Sequence, residues 1–133
     1  KDEHKDMTYK KFDVVPGKII KLIDGNKKKI ILTTGPVQSI AKKMIKNNYK
    51  NYSLYSMPIW GMASKIKVKN IIKNFKEIIT IEDHFYDGGF GSWLQETINN
   101  TNIKTVIKSK YISNGVINDV GSKQYLLKKY GPK

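Results

Sequence analysis

The chain has 133 residues, 39% of them hydrophobic, which suits one ordinary globular domain with a real core rather than a disordered segment. It has no cysteine, so a disulfide framework and a thiolate metal site are excluded, and no apolar run approaches the roughly 20 residues that span a bilayer. The net charge is +14, yet every basic residue is Lys and none is Arg. Base-reading surfaces lean on Arg for bidentate contacts, and these lysines are scattered, so the charge reads as a solvated surface without specific nucleic-acid binding. Absence of cysteine fits a reducing, cytoplasmic setting.

Residues 1–16 read as a linker from a preceding domain, charged and without periodicity, and residues 17–133 as the domain itself. The chain begins Lys-Asp-Glu-His without Met or an apolar segment, the pattern of a fragment, a tag remnant or a trimmed product rather than a signal peptide. Pro16-Gly17 is a turn before a strand. Lys18–Ile23 is the first strand candidate, Asp24-Gly25-Asn26 a strong turn, and Lys29–Thr34 a second, more apolar strand. Taken alone, these two would pair as a hairpin.

Gly35-Pro36 ends the second strand and opens a helix in which Val37, Ile40, Ala41, Met44 and Ile45 fall on one face. Gln38, Lys42, Lys43 and Lys46 fall on the wet face. Tyr52–Met57 alternates as a third strand, and Met57-Pro58-Ile59-Trp60-Gly61 connects onward. Trp60 is unusual in a loop: a rim of the core, a contact with another domain and a ligand contact are all open readings. Ser64 is placed as N-cap of a helix with Val68, Ile71, Ile72 and Phe75 inside.

Ile78–Ile81 is a buried strand, followed by Glu82, Asp83 and His84 and then the glycine turn Gly88-Gly89-Phe90-Gly91. Phe90, Trp93, Leu94 and Thr97/Ile98 recur at helical spacing, so a helix starts near Gly91–Ser92. Glycines at such a turn serve either a ligand that approaches the backbone or a helix packed close to the sheet. Glu82 and Asp83 disfavour a bare phosphate cradle, since they would repel it. Ile103–Ser109 is the last strand, Tyr111–Asp119 a loop, and Lys123–Tyr130 a helix capped by Gly121-Ser122. Strands alternating with helices predict an α/β fold, a three-layer α/β/α sandwich on a five-stranded, mixed, mostly parallel sheet.

In such a sheet, ligands favour the crevice beyond the C-terminal strand ends, where strand order reverses. With the second and fourth strands adjacent, Thr33, Thr34, Gly35, Glu82, Asp83, His84, Gly88, Gly89 and Gly91 line that crevice as candidate ligand or interface residues. His84 beside two carboxylates could serve as acid or base. The plainer reading makes one carboxylate a cap for the following turn and leaves His84 at a surface. No metal site is expected, because His84 and the tail residue His4 are the only histidines.

Ile79-Thr80-Ile81-Glu82-Asp83-His84-x-x-x-Gly88-Gly89-Phe90-Gly91-Ser92 resembles the V-T-V-E-D-H-x-x-x-G-G-L-G-S signature of transketolase C-terminal domains, with cousins in deoxyxylulose-phosphate synthases and 2-oxo-acid dehydrogenase beta subunits. Phe12-Asp13-Val14-Val15-Pro16-Gly17-Lys18 resembles the family's entry segment, and Val120-Gly121-Ser122-x-x-Tyr125-Leu126-x-x-Lys129-Tyr130-Gly131 its closing one. Thr33–Gly35 match the Thr-Gly junction, and Pro58-Ile59 match a further segment from which Trp60-Gly61 depart.

The resemblance implies a first strand antiparallel at the sheet edge, beside the third. It implies a structural and dimerising domain with no catalytic residue of its own. The parent enzyme would move two-carbon ketol units between sugar phosphates with thiamine diphosphate and a divalent metal, both held by other domains. The alternative is a regulatory module that binds an anion or nucleotide in the central crevice, or the matching domain of another thiamine-dependent enzyme.

Overall fold

The structure, a computed structural model, describes residues 14–133. The expected linker and His4 therefore lie largely or wholly outside the described residues, as do Phe12 and Asp13 of the entry segment. The elements run β1 (Ile20–Ile23), β2 (Asn26–Thr33), α1 (Gln38–Asn47), β3 (Tyr52–Ser56), α2 (Lys65–Ile72), β4 (Glu77–Ile81), α3 (Phe90–Ile98), β5 (Val106–Lys110), a 3₁₀ turn (Asn114–Asn118) and α4 (Lys123–Tyr130). The strands form one sheet in the order β1-β3-β2-β4-β5. β1 pairs antiparallel with β3, and every other pairing is parallel. This is the expected mixed α/β sheet.

The hairpin that the turn chemistry suggests does not form. β1 and β2 flank β3 on opposite sides, so the chain must cross the start of β3 at Asp24-Gly25. The crossing is tight: the Asn26 amide donates to the Asn51 carbonyl, and a Cβ on Gly25 would lie 2.5 Å from that same oxygen. Glycine is there for close approach to another backbone, not for a two-residue turn. β2 wins its central place because Ile30, Ile31 and Leu32 are consecutive and all buried, which requires cover on both faces.

That cover divides by side-chain parity. Ile30, Leu32 and Ile78 face Val68 and Ile72 of α2 and Phe90, Leu94 and Ile98 of α3. Ile31, Leu54, Ile79 and Ile81 face Val37, just before α1, and Ala41 and Met44 within it. Gln38, expected on the wet face of α1, is buried, because it lies three residues before Ala41 on the same side. Ser64 precedes α2 as expected, but its hydroxyl donates to the Gly61 carbonyl 2.5 Å away instead of accepting from the helix. Ser122 does cap, accepting from the Tyr125 amide at 3.2 Å. β5 begins at Val106, three residues later than its apolar pattern suggested, and the loop before α4 folds into a 3₁₀ turn.

Candidate functional site

The C-terminal end of β4 sets the geometry. Parallel pairing of β4 with β2 puts Ile81 opposite Thr33, so the Thr33–Gly35 and Glu82–His84 segments leave the sheet side by side. Asp83 then lies over Gly35, whose φ of +67° keeps the chain in the left-handed region, and a Cβ built on Gly35 would sit 3.4 Å from Asp83 Oδ1. Thr33 turns away, its hydroxyl donating to the Tyr55 carbonyl at 3.3 Å. Thr34 is buried.

Glu82 is fully buried, and its carboxylate is already occupied. Oε1 accepts from the Phe90 amide at 3.0 Å and Oε2 from the Gly91 amide at 2.5 Å. These are first-turn amides of α3, which have no carbonyl partner within their own helix. No side chain on the N-cap residue Gly89 can serve them. Burial pushes the Glu82 carboxyl above its ordinary range, while the two amides pull in the opposite direction.

The glycines follow from that arrangement. A Cβ on Gly89 would strike Oε1 of Glu82 and the Phe85 carbonyl oxygen. A Cβ on Gly91 would strike the Ser109 hydroxyl, which pairs with Thr80 at 2.9 Å across β4 and β5. Gly88 has φ +67° and open space around it, so its need is conformational. α3 therefore starts at Phe90, one residue early, where Glu82 holds it.

Asp83 and His84 remain outside this network. His84 Nε2 is 3.7 Å from Asp83 Oδ1, and its side chain is 64% exposed, so no buried proton relay is assembled. The His84 carbonyl accepts from the Ile112 amide at 2.9 Å, tying the loop to the chain beyond β5. Among the described residues, no group of three or more His, Asp or Glu side chains is placed to hold a metal ion.

A concavity of about 260 Å³ beside these residues is lined by Trp60, His84, Phe85, Asp87, Gly88 and Gly89. Trp60 forms one wall and also packs on the core, its ring 5.7 Å from Phe90 and 5.6 Å from Trp93. Phe85 and Tyr86 are partly exposed, and the Tyr86 ring lies 5.3 Å from that of Tyr111, tilted by 44°. Sequence reading passed over Phe85 and Tyr86. Two adjacent aromatics in an otherwise polar turn were the available signal.

No family model and no curated relative matches the chain. Among solved structures, it is similar to a chain described as "Split gene transketolase, inactive beta4 tetramer", with a TM-score of 0.65 and 21% identity. The match covers 92% of this chain and 39% of that one. The fold is that of a transketolase C-terminal domain. In this fold, the acidic and glycine residues of the signature segment meet through Glu82, as a joint between β4 and α3. The domain spans well under half of the transketolase chain it matches. No helix of the described residues is long and apolar enough to cross a membrane.

Proposed function

We propose that this chain is the C-terminal structural and dimerising domain of a thiamine diphosphate-dependent transketolase, one that transfers two-carbon ketol units between sugar phosphates. It contributes to assembly and carries no catalytic group. Residues 17–133 form the domain, and the preceding residues link it to the rest of the enzyme. Thiamine diphosphate and its divalent metal bind other domains or subunits of a cytoplasmic homodimer.

The observation that carries this reading is the use of Glu82. The buried carboxylate of the signature segment, which in an active site would be free to exchange a proton, accepts from the Phe90 and Gly91 amides instead. The fold likeness to a split-gene transketolase chain supports the parent assignment. Asp83, His84, Phe85 and Tyr86 at the exposed strand ends then serve as contacts to another domain or subunit, with Thr33, Thr34 and Gly35 as the floor behind them.

The test is a ketol-transfer assay with thiamine diphosphate and magnesium. The chain alone should give no turnover above buffer. A polypeptide supplying the two preceding domains should associate with it by size-exclusion chromatography and gain stability or activity. Turnover by the chain alone, or failure to associate with those domains, would overturn the proposal.

A further inference from the structure

In a chain with 25 basic and 11 acidic side chains, an acid should seldom lack a donor. Asp24 pairs with Lys21, Glu96 with Lys65 and Asp119 with Lys129. Glu77 accepts from the Tyr52 hydroxyl, Glu82 from the amides of α3, and Asp83 lies beside His84. Asp87 is the exception: among the described residues, its carboxylate has no hydrogen bond and no ion pair. It lines the 260 Å³ concavity beside the signature turn, and no lysine lines it.

The surroundings of Asp87 are fixed and mostly aromatic. The Gly89 amide donates to the Tyr86 carbonyl at 3.0 Å, which closes the turn that carries Asp87. The Trp60 ring is held against Phe90 and Trp93. Phe85 is partly exposed on the same concavity, and Gly88 and Gly89 bring no side chain to fill it. The start of α3 has little to offer an anion here, because Glu82 already takes the Phe90 and Gly91 amides. The lining therefore combines two aromatic rings, the His84 imidazole and one open carboxylate.

We infer that this concavity binds an organic cation, the ammonium or guanidinium end of an alkyl chain. Asp87 is the counter-ion, and Trp60 and Phe85 meet the charged end and its methylenes, as aromatic rings do with such cations. The volume is a little below the roughly 300 Å³ at which small-molecule sites begin, so it takes the end of a chain rather than a whole nucleotide. The net charge of +14 repels cations, so binding here has to come from local contacts and not from the field of the molecule. The inference does not depend on the parent enzyme's activity.

The test is an NMR titration of the full 133-residue chain in 0.15 M NaCl, following the backbone amides of Gly88 and Gly89 and the Trp60 indole N–H. The probes are n-butylammonium, spermidine and a lysine blocked at both its amino and carboxyl ends; 1-butanol and butyrate are the neutral and anionic controls. Saturable shifts with the cations alone are expected. Asp87→Asn should weaken binding about fivefold and Phe85→Leu about threefold. Asp24→Asn, at the opposite end of the sheet, should leave it unchanged. Tighter binding of the blocked lysine would identify a protein side chain as the source of the cation, and tighter binding of spermidine a free polyamine; both support the site. No saturable shift, equal shifts with 1-butanol or butyrate, no effect of Asp87→Asn, or an equal effect of Asp24→Asn would overturn the assignment. Asp87 and Phe85 lie on the surface, and an unchanged melting curve checks the folding of both variants.

Discussion

Two amides at the start of α3 need acceptors that the helix cannot supply, and Glu82 reaches both from the strand before it. Replacing its carboxylate by an amide leaves one of those N–H groups facing another donor in a buried place. Glu82→Gln should cost about 1–3 kcal/mol in urea denaturation. The pH dependence separates burial from the pull of the amides. Burial holds the folded carboxyl above its ordinary value of 4.5, so the folded chain keeps this proton more readily than the unfolded one. The contribution is then complete below that value and is lost as pH rises through the folded one. The stability gap between wild type and Glu82→Gln should narrow as pH rises from about 4. A gap that widens would mean that the amides and the helix terminus outweigh desolvation.

At the level of elements, the contact between α3 and the β4–β5 pair depends on the missing side chain of Gly91. Alanine is the better helix former by about 1 kcal/mol, so propensity alone predicts that Gly91→Ala stabilises. Packing predicts the reverse, since the new Cβ meets the Ser109 hydroxyl and, at 2.8 Å, the Thr80 hydroxyl. We expect a net loss of about 1–3 kcal/mol, with part regained in the Gly91→Ala, Ser109→Ala double variant. A stabilised single variant, or additive effects, would show that the helix shifts freely. The elements around this joint were legible because their apolar periods are clean: Phe90, Leu94 and Ile98 are all buried, as their spacing requires. Which carboxylate served the joint was not legible. Glu82 and Asp83 are adjacent acids, and only the direction in which β4 ends sends one inward and leaves the other above Gly35. The β1–β2 hairpin failed for a related reason: Asp24-Gly25 has the composition of a tight turn, while Gly25 is needed to pass Asn51.

For the whole molecule, 25 lysines against 11 acids leave a positive field with little to relieve it. The surface ion pairs, such as Lys21 with Asp24 and Lys65 with Glu96 at 3.0 Å each, are exposed and contribute little. Self-repulsion should therefore dominate the response to salt. Raising NaCl from 20 to 300 mM should raise the melting temperature by a few degrees, equivalent to about 1 kcal/mol. A fall would mean that specific ion pairs matter more than the net field.

By itself the sequence determined the class of fold, the order of its elements and the segment on which the central joint is built, because hydrophobic period and turn chemistry are local properties. The family resemblance had already implied β1 antiparallel beside β3, as it is; the tertiary structure decided how the chain passes Asn51 to get there and which acid was spent on α3. Those outcomes depend on residues far apart in the chain and on the direction of their side chains, which no local pattern records.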